Sequence, residues 1–413
     1  MPRPRRRPLA LTARGWGFVA AGVGFLVVAY AVGSVHVQLA GALALAFVVV
    51  ALITARWRRP RLGVGRAFSA PLVAAGGSTT VTVTVTNLSM RALAAARWSD
   101  ALPWGDTAEG RWASLPARAG TRPRTLELRY RVSPPTRGIV EIGPLRVDVD
   151  DPFGLVHGSL TTGETHRLVV TPAVVSLHDA GFGFAAGEGV ARLIQRSTVG
   201  NDDDLMTREY RRGDAMRRIH WRVSARQGEL MVRQEEQRAR PELRLVVDTR
   251  RAAYRDARDS ERLGAPAESE TFEWVVRMVA SLGMHLRGAG FELHVVETAA
   301  PQVADAQAGD ARAEEFLASL ATIRLANDRE PLRAPETGTA GGVFAVLAEP
   351  DAEVLEWLVR MRRPGEAGIA FLPAWSATAR SALADAGWQC VLFRPDDDLA
   401  TVWSAVTAME ARA

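Results

Sequence analysis

The sequence predicts a multi-domain membrane protein: a transmembrane α-hairpin, then an all-β immunoglobulin-like sandwich, then an α/β doubly wound domain. Three observations predict this order. A stretch of 41 residues between Arg14 and Arg56 carries no charged side chain. Residues 67–180 contain short runs in which apolar and polar residues alternate, and residues 241–413 alternate apolar runs with helical periodicity. At 413 residues, the chain is long enough for more than one core.

Residues 1–66 predict the hairpin, with spans at about 16–33 and 37–55 that turn at "GSVHVQ". A helix crosses a bilayer with roughly 20 apolar residues, so the stretch is long enough for two spans. A signal peptide has one apolar region of about 7–15 residues and is not followed by a second span. Because "RPRRRP" and "RWRRPR" flank the spans, the positive-inside rule predicts a cell-membrane protein with both termini in the cytoplasm.

The positive charge of the chain is concentrated at these membrane flanks. The first 66 residues hold ten arginines and no acid, which leaves 41 arginines against 46 acids in the remainder, a net charge of −5. This balance argues against nucleic-acid binding. The chain has no lysine, which excludes a Walker lysine and Schiff-base chemistry. A single cysteine, Cys390, excludes an internal disulfide framework.

The β-sandwich is predicted over residues 67–180. Alternation of apolar and polar residues in "STTVTVTVTNLS", "RTLELRYRV", "GIVEIGPLRVDVDD" and "THRLVVTPAVV" is typical of half-buried strands. "DPFGLV" (151–156) combines Asp-Pro with a following Gly and predicts a β-turn that pins Phe153 and Leu155 into the sheet.

Residues 241–413 predict the α/β domain. Apolar strand-like runs at "LRLVVDT", "FELHVVE", "VFAVLAE", "AGIAFLP" and "QCVLFRP" alternate with helical stretches. This alternation predicts a mostly parallel sheet with helices on both faces. Residues 299–340 predict an exposed loop with one short helix near "ARAEEFLASLA".

Asp248 follows the first of these strands, at the edge where open parallel sheets bind ligands. The domain resembles the von Willebrand factor A type, in which this strand ends in an Asp-x-Ser-x-Ser loop that holds a divalent metal. Here the loop reads Asp248, Thr249, Arg250, Arg251, Ala252, so both serines are replaced and a guanidinium lies beside the carboxylate. We therefore expect no metal and no cofactor, with Asp248 capping the strand end or pairing with an arginine.

Residues 181–240 form a connector that holds seven arginines within residues 207–226. Its segment "REYRRGDAMRRIHWRVSARQGELMVRQEE", together with the hairpin and the "DPFGL" turn, resembles the bacterial domain of unknown function 58 family. The resemblance covers nearly the whole chain. It implies a membrane-anchored adaptor or assembly factor that is a partner of a MoxR-type AAA+ ATPase. Because no Gly-x-Ser-x-Gly elbow and no oriented acid accompany His220 and Ser224, we expect no enzymatic activity and no small-molecule substrate. The residues that match the family signature, and that we expect to dock a partner, are Arg208, Glu209, Tyr210, Gly213, Asp214, Arg218, Trp221, Ala225 and Arg226, accompanied by Ile219, Ser224 and Leu230.

Three interpretations of this segment stay open. In the first, Asp214 caps a helix with Met216, Ile219 and Val223 on its apolar face, and arginines and acids surround a buried aromatic in a structural junction or docking surface. Gly228 then ends the helix before the strand "ELMVR". In the second, a membrane-tethered hydrolase uses His220 as a base and Ser224 four residues later. In the third, the arginines bind nucleic acid.

Overall fold

The computed structural model divides the chain into two compact units, Met1–Thr171 and Pro172–Ala413. The residues that the structure describes are 9–57, 60–117, 124–151, 153–177, 207–210, 216, 221–233, 242–257, 269–306, 309–326, 332, 342–364 and 366–410.

The first unit begins with a short strand, β1 (Ala10–Leu11), and two long apolar helices, α1 (Ala13–Val32) and α2 (Val35–Trp57). Both helices are long and apolar enough to span a membrane, and most of their apolar side chains are exposed. Only two residues separate them, because Gly33 takes the left-handed conformation (φ 67°) that ends α1. The turn of the hairpin is therefore shorter than the predicted turn, which covered the six residues "GSVHVQ".

Glycines set the distance between these two helices. A Cβ on Gly41 would lie 2.9 Å from the Gly22 carbonyl oxygen, and a Cβ on Gly22 would lie 2.8 Å from the Leu45 side chain. Small residues allow the backbones of membrane helices to approach closely, where dispersion contacts replace the hydrophobic driving force. The crossing therefore depends on the absence of side chains at Gly22 and Gly41.

The rest of the first unit is β-rich, as predicted. Alternate burial along β4 follows its sequence, since Val81, Val83 and Val85 are buried between partly exposed threonines. These valines share one core with apolar residues of the other sheets of the unit. The sheets have the orders β1-β10-β9-β5-β6, β3-β11-β8 and β2-β4-β7. The strands are β2 (Leu62–Phe68), β3 (Leu72–Ala74), β4 (Thr79–Asn87), β5 (Ala96–Ala101), β6 (Thr107–Trp112), β7 (Arg124–Val132), β8 (Gly138–Ile142), β9 (Leu145–Asp150), β10 (Val156–Thr162) and β11 (His166–Thr171).

A buried ion pair links two of these sheets. The Arg66 guanidinium donates to both carboxylate oxygens of Asp100, at 2.9 and 2.8 Å, and both side chains are fully buried. The Tyr130 hydroxyl donates to the same carboxylate at 2.6 Å. Burial, followed by the hydrogen bond to Asp100, raises the pKa of Tyr130. The carboxylate therefore has several donors to offset its loss of water.

The turn at "DPFGL" differs from its prediction. The backbone of residues 153–155 turns as expected, but Phe153 does not pack into the sheet, since 47% of its surface is exposed and its ring contacts Phe47 of α2. Leu155 is buried, in a cluster with Val48 and Ala51 of α2. The prediction that these two residues pin the sheet is wrong for Phe153, whose ring contacts the hairpin, whereas Leu155 is buried in a cluster that also contains Val156 of β10.

The second unit contains a sheet of five parallel strands in the order β15-β14-β16-β17-β18. Apolar side chains cover both faces of this sheet, as a buried parallel sheet requires. The strand order reverses between β14 and β16, so these strands flank a switch point. The elements are β14 (Glu242–Val247), α4 (Glu270–Gly288), β15 (Glu292–Glu297), α5 (Asp310–Thr322), β16 (Val343–Val346), α6 (Ala352–Met361), β17 (Gly368–Pro373), α7 (Ala377–Asp385), β18 (Gln389–Phe393) and α8 (Leu399–Glu410). The connector contributes β12 (Thr207–Glu209), α3 (Trp221–Gln227) and β13 (Met231–Arg233).

The region predicted as an exposed loop is partly built into this core. Ala306 is fully buried and pairs with Leu293 of β15 through an isolated bridge. The predicted short helix is present as α5, whose Phe316 and Leu320 are fully buried. Gly283 of α4 makes room for the Phe316 ring, since a Cβ there would lie 2.5 Å from it.

Candidate functional site

The family-signature segment folds locally as strand, helix and strand. β12 pairs antiparallel with β13, and the Tyr210 N–H donates to the Leu230 carbonyl at 2.8 Å, which extends the pairing. Arg208 and Glu209 lie in β12. Gly228 (φ 78°) ends α3, and its N–H donates to the Ser224 carbonyl at 2.9 Å. The predicted strand at "ELMVR" and the helix end at Gly228 are confirmed. Gly213, Asp214, Arg218, Ile219 and His220 lie outside the described residues.

Ser224 has a structural contact. It is buried, and its Oγ accepts from the Met231 N–H at 2.8 Å, which ties α3 to β13. A hydroxyl that caps a neighbouring strand in this way is held by backbone geometry. The proposed pairing of this hydroxyl with His220 falls outside the described residues.

The apolar residues of the signature are more exposed than the sequence predicted. Trp221 opens α3 with 64% of its surface exposed, and Leu230 is 43% exposed. Ala225, one turn along the same face of α3, and Arg226 are exposed too. Trp221, Ala225, Arg226 and Leu230 are called here the exposed signature residues. The expectation of a buried aromatic is wrong for Trp221, since it is Ser224, three residues later in α3, that is buried against β13.

The predicted inner face of the helix also needs correction. Met216 was expected to pack inwards, but 64% of its surface is exposed. Among the described residues it lies before α3 rather than within it. Ile219 and the residues that would join Met216 to α3 lie outside the described residues, so the helical face predicted through Met216, Ile219 and Val223 stays a prediction.

A second site lies at the carboxyl end of β14, where Asp248 is fully buried. Its Oδ1 accepts from the Thr298 hydroxyl at 2.6 Å and from the Arg250 N–H at 3.2 Å, and the Arg250 Nε lies 3.4 Å away. Arg250 also donates to the Asp351 Oδ2 at 2.9 Å. These four residues therefore connect the ends of three neighbouring strands, since Thr298 follows β15 and Asp351 follows β16.

Asp351 is additionally the N-cap of α6, with its Oδ1 accepting from the Val354 N–H at 2.9 Å. Burial acts to raise the pKa of Asp351, but the Val354 N–H and the Arg250 guanidinium outweigh it and hold the pKa below its usual range. Burial raises the pKa of Asp248, and Arg250 and Thr298 oppose that rise without cancelling it. Arg250 and Thr298 therefore favour the charged form of Asp248, which burial disfavours.

The arrangement does not fit a divalent cation. Arg250 stands at the first serine position of the metal loop, and its guanidinium contacts Asp248 and Asp351 at once. Ala252, at the second serine position, has no side-chain oxygen. Among the described residues, no group of three His, Cys, Asp or Glu side chains could hold a metal. A cation entering here would meet a fixed positive charge and too few oxygen ligands.

Thr298 and Asp351 are the members of this site that the sequence analysis missed. Thr298 comes two residues after the apolar run that ends at Val296, and Asp351 comes three residues after the run that ends at Ala348, near the edge where Asp248 lies. The spacing of Asp351 before "AEVLEWL" is also typical of an N-cap. Applying the strand-end argument to every strand would have found both residues.

Comparison with known proteins confirms the resemblance of the connector and part of the α/β unit. Residues 206–340 match the family model described as "Protein of unknown function DUF58". No curated protein matches the chain. Solved structures give weaker likenesses. The CARDB domain of the PF1109 protein from Pyrococcus furiosus is 18% identical, with a TM-score of 0.20, over 27% of this chain and 90% of that one. The putative ApaA protein from Bordetella pertussis is 13% identical, with a TM-score of 0.19, over 27% of this chain and 94% of that one.

Proposed function

We propose that this chain is a membrane-anchored, cytoplasm-facing adaptor or assembly factor that acts by protein–protein interaction and without enzymatic activity. Its anchor is the α1–α2 hairpin. The exposed apolar surface of both helices supports this role, since a water-soluble protein rarely exposes so much contiguous apolar area. The arginines on both flanks support an orientation with both termini in the cytoplasm.

The second unit acts in this proposal as a von Willebrand factor A-like domain that has lost its metal loop, and the β-rich part as an immunoglobulin-like sandwich. The five-stranded parallel sheet and its switch point are compatible with the former. Arg250 then lies where the loop would otherwise hold its divalent cation, and its contacts hold the ends of the strands together. Binding through a shared metal is thereby replaced by binding elsewhere on the surface.

The observation that carries the docking proposal is the exposure of Trp221. Tryptophan is among the residues that contribute most to binding when an interface buries them, and an exposed one has apolar surface to gain. It lies in the segment that matches the family model, beside the small Ala225 and the cationic Arg226. The partner implied by the family resemblance is a MoxR-type AAA+ ATPase, and we propose that the exposed signature residues form its docking surface.

Affinity purification of the tagged full-length chain from detergent-solubilised membranes tests this proposal. The variant Trp221→Ala should lose the AAA+ ATPase, because truncation of a central interface tryptophan costs about 2 kcal/mol or more, roughly a 30-fold loss of affinity. Trp375→Ala is the matched control, since Trp375 is an exposed tryptophan of the same unit outside the signature. Equal recovery of the ATPase with both variants would contradict the docking surface. Recovery of no ATPase with the unmodified chain would contradict the partner.

A further inference from the structure

The turn at residues 151–155, of which Pro152 lies outside the described residues, is held by several hydrogen bonds. Asp151 is buried, and its carboxylate accepts from the N–H groups of Phe153 at 3.0 Å and Val156 at 2.6 Å. The Gly154 N–H donates to the Asp151 carbonyl at 3.0 Å, and Gly154 itself takes a positive φ of 69°. The same turn continues the pairing of β9 with β10, since the Asp151 N–H donates to the Val156 carbonyl at 3.0 Å and Asp150 pairs with His157. The backbone position of Phe153 is therefore set by the connection between these two strands.

This turn is bound to the beginning of α1. The Thr12 N–H donates to the Leu155 carbonyl at 2.9 Å, and the Thr12 hydroxyl donates to the Gly154 carbonyl at 2.7 Å. Gly15 makes the contact possible, since a Cβ there would lie 2.3 Å from the Leu155 oxygen. The backbone of the turn and the backbone of the first predicted span are therefore in direct contact.

The apolar side chains of the turn continue the outer surface of the hairpin. Leu155 packs in the cluster that contains Val48 and Ala51. The Phe153 ring meets the Phe47 ring edge-on, with centroids 4.8 Å apart, and Phe47 in turn lies 6.4 Å from Phe18. All three rings keep more than 40% of their surface exposed. They form one apolar surface that includes two residues of the predicted spans.

The depth of this surface follows from helix geometry. α1 has 20 residues, which at 1.5 Å per residue gives about 30 Å, the thickness of the hydrocarbon layer. Phe18 lies five residues after the first residue of α1, so it is roughly 8 Å inside that end. Amphipathic elements that lie in a membrane surface reach about 5–10 Å into the boundary between headgroups and acyl chains. The side chain of Arg14 lies close to Gly154, at the level where lipid phosphates are expected.

We propose that the turn at residues 151–155 is a membrane-inserted docking element, with the Phe153 ring immersed among the acyl chains of the leaflet that α1 enters. This inference rests on the proposed membrane anchoring. The occupant of the exposed surface is lipid, because Phe153 shares that surface with Phe18 and Phe47, which the anchoring places in the bilayer. The hydrogen bonds to Thr12 and the buried Leu155 then hold the β-rich part at a fixed height and orientation on the membrane.

Fluorescence quenching in lipid nanodiscs tests this element in the full-length chain. Cys390→Ser provides a cysteine-free background, and single cysteines at Phe153, Val23 and Met90 carry an environment-sensitive NBD label. Val23 is an exposed residue near the middle of α1, and Met90 is an exposed residue of the β-rich part. We expect the label at Phe153→Cys to be quenched by lipids with a nitroxide on the part of the acyl chain next to the headgroup and shielded from aqueous iodide. The Val23→Cys label should respond to deep nitroxides, and the Met90→Cys label to iodide alone.

The outcomes separate this inference from the anchoring on which it rests. If the Val23→Cys label is quenched by lipid nitroxides while the Phe153→Cys label behaves as Met90→Cys does, the hairpin is embedded and the docking element is overturned. If the Val23→Cys label is itself open to iodide and unaffected by lipid nitroxides, the membrane anchoring fails. Quenching of both labels by lipid, at different depths, supports the proposal.

Discussion

Replacement of Arg250 by alanine should destabilise the end of β14 far more than loss of an ordinary arginine. The guanidinium contacts the fully buried Asp248 and the more exposed Asp351. The Asp351 side chain is 57% exposed, so water screens that half of the interaction, which contributes about 0–1 kcal/mol. Asp248 has no such screening. Removing one member of a buried pair leaves a charge without compensation and costs about 3–5 kcal/mol.

The loss of stability in Arg250→Ala should depend on pH, and the pKa of Asp248 determines the direction of that dependence. Burial raises the pKa of Asp248 in the folded chain, so the folded state holds its proton more tightly than the unfolded state, and stability falls as the pH rises from the unfolded value to the folded one. Arg250 opposes the rise, and without it the pKa increases further. The difference between Arg250→Ala and the unmodified chain should therefore be small at acid pH, where Asp248 is neutral in both, and grow towards neutral pH.

Hydrogen exchange of the amides in β14 and β16, followed by mass spectrometry on the full-length chain in detergent, measures this local stability. Arg255→Ala is the control, since Arg255 forms an exposed ion pair with Glu349 and should contribute less than about 1 kcal/mol. Adding Asp248→Asn to Arg250→Ala should recover most of the loss. The reasoning is refuted if the amides of β14 exchange as slowly in Arg250→Ala as in Arg255→Ala. It is also refuted if adding Asp248→Asn to Arg250→Ala does not slow their exchange.

Two further changes test the first unit by thermal unfolding in detergent. Gly15→Ala would place a Cβ 2.3 Å from the Leu155 oxygen and should cost about 1–3 kcal/mol. Gly17→Ala, where nothing lies within 4 Å of the new Cβ, should leave the unfolding temperature unchanged, and an equal loss in both variants would contradict the contact. Asp100→Ala leaves the buried Arg66 without its carboxylate and should cost about 3–5 kcal/mol; an unfolding temperature like that of the unmodified chain would show that the pair is not desolvated.

Local patterns were sufficient to predict the two long helices and many of the strands of this chain. The alternation of Val81, Val83 and Val85 with threonines places them on one buried face, because successive side chains of a strand point to opposite sides. The absence of charge between Arg14 and Arg56 predicts the two helices for a similarly local reason. The strand that ends before Asp248 is predicted by its continuous apolar run.

Contacts between distant parts of the chain were not predictable in the same way. The Phe153 ring contacts the ring of Phe47, which lies more than a hundred residues earlier in the chain. A turn motif carries no information about such a partner. The partners of Asp248 are supplied by Thr298 and Asp351, which only the parallel order of the strands brings together. Trp221 is predicted to be buried because arginines and acids surround it, and the pattern of a single chain does not distinguish a core aromatic from one that a partner covers.

The most direct test of the adaptor proposal is site-specific photo-crosslinking from position 221 in the full-length chain, in its own membranes. A benzophenone amino acid replaces Trp221, and the same probe at Trp375, another exposed tryptophan, serves as the control. The proposal predicts a crosslink to an AAA+ ATPase from position 221 and none from position 375. Crosslinks from position 221 that reach only other residues of this chain would contradict it, and would assign the segment to a structural junction instead.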